Sequence, residues 1–216
     1  MTDISNNLIT LADGNQMPQQ GFGVYKITDQ DEFNQAVTAA WEQGYRLFDT
    51  AQMYENEQYL GKILHDLQVP REELFITTKI SEANQGYDAT IRSLKESLKK
   101  LQMDYVDLLL IHWPINTHFF DTWRAFEDLK AQGLTKSIGV SNYGMVHLQY
   151  LATQAREMPV LNQIEVSPYM SQKPLMHFHE ENNSATQAWN PLGRGKDFNE
   201  PTLGTICEQN NRSPAP

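Results

Sequence analysis

The chain has 216 residues, 40% of them hydrophobic, and a single cysteine, Cys207. That content is ample for a full core, and it excludes a disordered chain, an internal disulfide and a cysteine metal centre. Seventeen basic against 27 acidic side chains give a formal net charge of −10 with no basic cluster, which argues against a nucleic-acid partner.

The amino-terminal stretch MTDISNNLIT has neither the basic start nor the apolar run of a signal peptide. No segment reaches the ~18 apolar residues of a membrane span. The expectation is a soluble cytoplasmic monomer with no membrane partner, and the lone cysteine fits a reducing compartment. Next, LITL and QMP flank Asp13-Gly14, a dipeptide that favours the turn of a β-hairpin.

From there the pattern alternates. Short apolar runs predict strands at GFGVY (21–25), RLFDT (46–50), LFITTKI (74–80), VDLLLIH (106–112), KSIGVSN (136–142), VLNQIEVS (160–167) and ATQAWN (185–190). Between them lie helical faces. Phe33, Ala36, Val37, Ala40 and Trp41 form one, with Thr28 or Asp29 as N-cap and Gly44 as stop. Tyr59, Leu60, Ile63, Leu64 and Leu67 form a second, and Ile91, Leu94, Leu98 and Leu101, opened by Asp88, a third. Phe119, Trp123, Phe126 and Leu129, ended by Gly133, form a fourth; Leu148, Leu151, Ala152 and Ala155 a fifth; Leu203, Ile206 and Cys207 a last.

A strand starts roughly every 24 to 32 residues, the length of a βα unit, within one continuous domain spanning 1–216. A doubly wound sheet normally carries G-x-G-x-x-G after an early strand, and GFGVYK fails at its last position. The fold expected is therefore α/β, a (β/α)₈ TIM-type barrel behind an N-terminal β-hairpin. Such barrels run to about 250 residues. The chain reads as truncated after the seventh strand, ending at SPAP without an eighth.

A barrel builds its active site at the carboxyl ends of its strands. Asp49, Lys79, His112, Ser141 with Asn142, and Trp189 end or nearly end their runs, Gln163 lies within the sixth, and Tyr54 follows Asp49 in the next loop. Each has a plainer alternative: a turn or cap for Asp49, a loop aromatic for Tyr54, a satisfied core histidine for His112, an ordinary turn for Ser141-Asn142, core for Trp189. Lys79 is the least easily dismissed, because a cation inside a buried run needs a partner. Convergence on one rim favours a site.

Together these groups make chemical sense. Lys79 beside Tyr54 is expected to lower the phenol's pKa from about 10 towards that of a usable proton donor. Asp49 can pair with Lys79, and His112 can hydrogen-bond a substrate oxygen. None of these four groups is a plausible nucleophile, and the hydride of a reduced nicotinamide would fill that gap. Trp189 can stack on its ring while Ser141, Asn142 and Gln163 bond its carboxamide.

GYRLFDTAQMYENE (44–57), TTKI (77–80), DYVDLLLIHWP (104–114), KSIGVSN (136–142), NQIEVSPY (162–169) and QAWNPLGRG (187–195) jointly resemble the aldo-keto reductase family. The resemblance covers the chain from the hairpin onward, and its wording is nearest the bacterial group that includes 2,5-diketo-gluconate reductases. It implies Tyr54 as general acid, Lys79 and Asp49 as its tuning pair, and His112 as the residue orienting the carbonyl. It implies Ser141, Asn142 and Gln163 on the nicotinamide amide, Trp189 as the stacking aromatic, and the Asn190–Gly195 loop, with Leu192 and Gly193, on the pyrophosphate. Gly23, Val24, Tyr25 and Trp113 would line the nicotinamide and substrate pocket. Asn190 stands where a serine is usual. The family's last βα unit, which grips the 2′-phosphate, has no counterpart before Pro216, so NADPH is the inherited expectation and NADH stays open.

HFHEE (177–181) places its histidines at i, i+2, off a common helix face, so no metal site is expected there. GRGK (193–196) is too short for a phosphate loop. The sequence thus points to an enzyme reducing aldehydes and ketones with NADPH. The alternatives are a nicotinamide-binding module without turnover and an inactive truncated product.

Overall fold

The structure, a computed structural model, describes residues 7–213. Part of the amino-terminal stretch read against a signal peptide, and the last residues of SPAP, where an eighth strand was expected to be missing, lie outside the described residues.

Strands β1 (Leu8–Thr10) and β2 (Gln16–Pro18) pair antiparallel, with Ile9 opposite Met17. The expected turn is present: Gly14 adopts φ 87° and donates to the Leu11 carbonyl at 2.9 Å. Seven parallel strands follow in chain order: β3 (Gly21–Gly23), β4 (Leu47–Asp49), β5 (Phe75–Ile80), β6 (Val106–Ile111), β7 (Thr135–Ser141), β8 (Leu161–Glu165) and β9 (Ala185–Trp189). Helices α1 (Gln30–Glu42), α2 (Glu57–Asp66), α3 (Tyr87–Leu101), α4 (Phe119–Ala131), α5 (Met145–Leu151), α6 (Lys173–Glu181) and α7 (Pro201–Gln209) complete the units. No helix among the described residues is long and apolar enough to cross a membrane.

The sheet is curled. Strands β4 and β8 are four places apart in the strand order, which in a flat sheet would separate them by roughly 19 Å. Yet the Gln163 amide on β8 donates to the Asp49 carboxylate on β4 at 2.7 Å. The strands therefore arch round a common interior, as in a (β/α)₈ barrel, with β3 and β9 as the two free edges among the described residues.

Side chains alternate across each strand. Leu47, Phe75, Leu108, Leu110 and Leu161 point inward and pack on Leu11 and Met17 of the hairpin, which plugs the amino-terminal end of the barrel. Phe48, Ile76, Ile80, Leu109, Ile111, Ile138 and Val140 point outward and meet the buried faces of α1 to α5, including Phe33, Leu60, Leu94, Trp123 and Leu148. Helices α2 and α3 come close enough that a Cβ on Gly61 would stand 2.5 Å from the Leu101 carbonyl.

Apart from β7, which keeps its expected length but lies one residue earlier, the strands are shorter than their sequence runs suggest, and their ends are set locally. Asn142 and Asn190 take φ values of 64° and 58°, which turn the backbone out of the extended region one residue past β7 and β9. Asp29 is the N-cap of α1, accepting from the backbone N–H groups of Asp31 and Glu32 at 3.0 and 2.9 Å. Asp88 does not cap α3, where Gly86 holds that position and Asp88 lies in the first turn. Helix α6 carries no predicted apolar face; its one fully buried side chain is His179, which bonds Asn162 of β8 at 2.9 Å and Thr186 of β9 at 2.8 Å. His177, two residues earlier, points the other way, to Glu180 and Glu181 at the surface.

Candidate active site

Inward alternation brings Asp49, Lys79, His112, Ser141, Gln163 and Trp189 to the carboxyl end of the barrel. Beyond β4 the chain makes a short 3₁₀ turn, Gln52–Tyr54, and Glu55 at φ 56° reverses it into α2. Gln52 anchors this turn: its carbonyl accepts from Ser81 N and Asn84 Nδ2 at 3.0 and 2.9 Å, and its amide donates to Ser97 Oγ at 3.1 Å. The turn is thus tied to the residues immediately after Lys79. Tyr54 is delivered back over the strand that precedes it.

Lys79 is completely buried. Its ammonium donates to the Asp49 carboxylate, to the Thr50 carbonyl at 3.1 Å and to the Tyr54 hydroxyl at 3.2 Å, which uses all three protons. Burial pulls the Lys79 pKa down, but Asp49 and Tyr54 outweigh it and the net direction is up, so the group stays charged. A dry, fixed positive charge therefore faces the phenol.

The phenol itself departs from expectation. Burial raises its pKa, Lys79 lowers it, Asp49 raises it again, and the net direction is upward. Lys79 lowers the phenol's pKa as expected, but the expected net fall is corrected: desolvation of a phenolate among Tyr25, His112 and the barrel wall exceeds the effect of one ammonium already neutralised by Asp49. Tyr54 is held firmly in its protonated, donor form.

His112 lies just past β6, with its ring 5.6 Å from that of Tyr54. Burial first, and then the charge of Lys79, push its pKa down to about 4, so the imidazole is neutral near pH 7. It is a hydrogen-bonding group there, and its Nδ1 is buried without a partner. Unfolded histidine titrates near 6.5, so between that pH and about 4 the unfolded chain binds a proton that folded His112 refuses. Stability must fall as pH drops through this window. Melting temperatures compared between pH 7 and 5 should decline less in His112→Gln than in the parent, and equal declines would show that the cost lies elsewhere.

The other half of the rim is a hydrogen-bonded chain. Gln163 spends both amide protons, one on Asp49 and one on Gln187 Oε1 at 2.7 Å, leaving its carbonyl oxygen as an acceptor. Ser141 Oγ donates to Gln163 O at 2.8 Å. Asn142 Nδ2 donates to His112 O and Ser141 Oγ, and Asn142 Oδ1 accepts from Trp189 Nε1 at 2.9 Å. Acceptors are preorganised for an incoming amide N–H, whereas a donor to its oxygen needs Ser141 or Asn142 to exchange partners. Asn190 Nδ2 donates to Glu165 at 3.0 Å, and Leu192 and Gly193 follow in the loop after β9, Leu192 largely exposed.

Gly23 pairs with Asp49 across β3 and β4, and nothing lies within 4 Å of where its Cβ would be, so open space adjoins the carboxylate. Val24 is buried and donates to Asp49 O at 3.1 Å. Tyr25 packs on Tyr54 at 4.9 Å between ring centroids, and Trp113 follows His112, its carbonyl held by the Gln85 amide at 2.7 Å. Tyr25, Met53, Trp113 and Leu192 are among the exposed large apolar side chains, and all four lie in loops after strand carboxyl ends. A polar floor under an apolar, aromatic mouth fits a flat heteroaromatic amide and a small organic substrate.

Gln187 and Asn56 were missed by the sequence reading. Gln187 could have been found by counting alternate residues back from Trp189. Asn56 looks like a helix cap, and nothing in sequence shows that its side chain turns away from the helix.

The aldo/keto reductase family matches residues 19–213. Glyoxal reductase of Bacillus subtilis (strain 168) is 41% identical over 207 residues, covering 96% of this chain and 75% of that protein. The crystal structure of an aldo/keto reductase from Brucella melitensis superposes with a TM-score of 0.90 at 45% identity, over 96% of this chain and 80% of the other. The Bombyx mori aldo-keto reductase, solved in complex with NADP, gives 0.88 at 34% identity, over 96% and 76%. A family match over most of the length, on a fold that sets an acid, a phenol, an ammonium and an imidazole at one barrel mouth, establishes that this chain belongs to the aldo/keto reductase family.

Proposed function

We propose that the chain is a cytoplasmic, monomeric reductase of small aldehydes and ketones, dicarbonyls among them, that uses NADPH. The observation carrying the reading is the Tyr54 hydroxyl 3.2 Å from a completely buried Lys79 ammonium that Asp49 neutralises. The relative named as a glyoxal reductase supports the substrate class, and the neighbour solved with NADP supports the cofactor.

A reduced nicotinamide supplies a hydride to the carbonyl carbon when bound. The chain's own residues do the rest. Tyr54 and His112 receive the carbonyl oxygen between them, and their two hydrogen bonds polarise it. As negative charge develops on that oxygen, Tyr54 transfers its proton, and Lys79 stabilises the phenolate left behind. Asp49 keeps Lys79 charged and in place, and its second oxygen holds Gln163. Ser141, Asn142 and Gln163 would hold the carboxamide, Trp189 would pack on the ring, and the Asn190–Gly195 loop with Leu192 and Gly193 would receive the pyrophosphate. Gly23, Val24, Tyr25 and Trp113 enclose the reacting centre.

The test is steady-state oxidation of NADPH by the purified chain with glyoxal and a panel of simple aldehydes. Saturable, aldehyde-dependent oxidation is expected. Tight NADPH binding with no oxidation by any carbonyl would favour a binding module and sink the proposal.

A further inference from the structure

Asparagine before a helix ordinarily accepts from the first free N–H groups of that helix. Asn56 precedes α2 and does not: at φ −124° and ψ 12° its side chain makes no bond to the helix. It is 1% exposed and points back beneath the barrel rim. Its Oδ1 accepts from Thr50 Oγ1 at 2.8 Å, and its Nδ2 donates to Val24 O at 2.9 Å and Ile27 O at 3.3 Å. Reversing the amide would set its oxygen against two carbonyls, so this orientation is fixed by its partners. The left-handed Glu55 is the joint that puts it there.

Those partners belong to two segments of the site, and Asn56 joins both to a third, the turn bearing Tyr54. Thr50 supplies the carbonyl that receives Lys79, Tyr54 lies two residues before Asn56, and Val24 and Ile27 flank the loop bearing Tyr25, whose ring packs on Tyr54. We infer that Asn56 is a positioning residue for carbonyl reduction: its side chain clamps the Tyr54 turn to Thr50 and to the Tyr25 loop. This holds the phenol at Lys79 and the mouth against the phenol. The inference rests on Tyr54 being the proton donor. None of the groups Asn56 touches lies on β7 to β9, where the carboxamide and pyrophosphate ligands are proposed, and the Val24 carbonyl is its one link to the nicotinamide pocket, so the clamp acts on proton delivery more than on cofactor binding.

Asn56→Ala removes the whole clamp. Thr50→Val keeps the shape of Thr50 but removes its donor to Asn56, and Thr50→Ser keeps that donor. All three are measured beside Tyr54→Phe for melting temperature, NADPH dissociation constant by fluorescence titration, the number of cofactor-binding sites, and kcat and KM for one aldehyde. Displacing a reacting group by about 1 Å costs on the order of 10²-fold in rate. The expectation is a fall in kcat per cofactor-binding site of roughly 10- to 100-fold in Asn56→Ala and Thr50→Val. The NADPH constant should change far less than kcat, and Thr50→Ser should recover the rate. A kcat per site equal to the parent's in Thr50→Val overturns the inference, because a merely structural role lowers the number of sites and not the rate of each. Should Asn56→Ala not fold, the two Thr50 variants decide alone. Turnover retained in Tyr54→Phe overturns the proton-donor reading instead, whatever the Thr50 variants show.

Discussion

Tyr54→Phe is expected to abolish carbonyl reduction while leaving the fold and NADPH binding intact. The change deletes one oxygen. The ring keeps its packing on Tyr25 and its edge contact with His112, and Lys79 keeps Asp49 and the Thr50 carbonyl as partners. What is lost is the one proton donor among the described residues that contacts the Lys79 ammonium, and general acid catalysis of this kind is worth about 10²- to 10⁴-fold. Water at the mouth is a poor replacement, because it lacks the fixed contact with the Lys79 ammonium that stabilises the conjugate base. Single-turnover kinetics with NADPH and an aldehyde would check this, with the cofactor dissociation constant measured on the same sample. Retained turnover would remove Tyr54 from the mechanism. A matching loss of cofactor affinity would show damage beyond the hydroxyl.

Much of the site was legible because parallel strands alternate their side chains strictly. Asp49, Lys79 and His112 each interrupt an apolar run at its carboxyl end, and a barrel sends such residues to one mouth. Other features depend on closure and could not be read locally. The bond between Asp49 and Gln163 joins residues 114 apart in sequence and exists only because the sheet curls. The direction of the Tyr54 pKa shift is a contest between burial and Lys79, and a sequence shows the charge but not the burial. Helix α6 went unpredicted because the one residue it buries fully is a histidine bonded to two strands, while its apolar Phe178 is only partly buried against the core. Asn56 was hidden by its own likeness to a cap.

Replacing Lys79 should separate stability from chemistry. Lys79→Met fills similar space without charge and leaves Asp49, a largely buried carboxylate, with Gln163 as its remaining side-chain partner. Removing one member of a buried pair costs about 3–5 kcal/mol, because the other charge stays behind desolvated. Adding Asp49→Asn takes that charge away, so the double variant should recover much of the lost stability, measured by denaturant titration. Turnover should not recover. The phenolate that forms at Tyr54 loses its adjacent cation in both variants, and kcat falls by about 10²-fold or more in each. In the parent, Lys79 titrates above its ordinary value of 10.5 when folded. The stability it contributes is therefore complete below that pH and is lost as pH climbs through the folded value, a decline Lys79→Met should lack. A double variant that regained both stability and turnover would mean that the charge pair serves the fold alone. One that regained neither would place the cost in packing round the Lys79 stem.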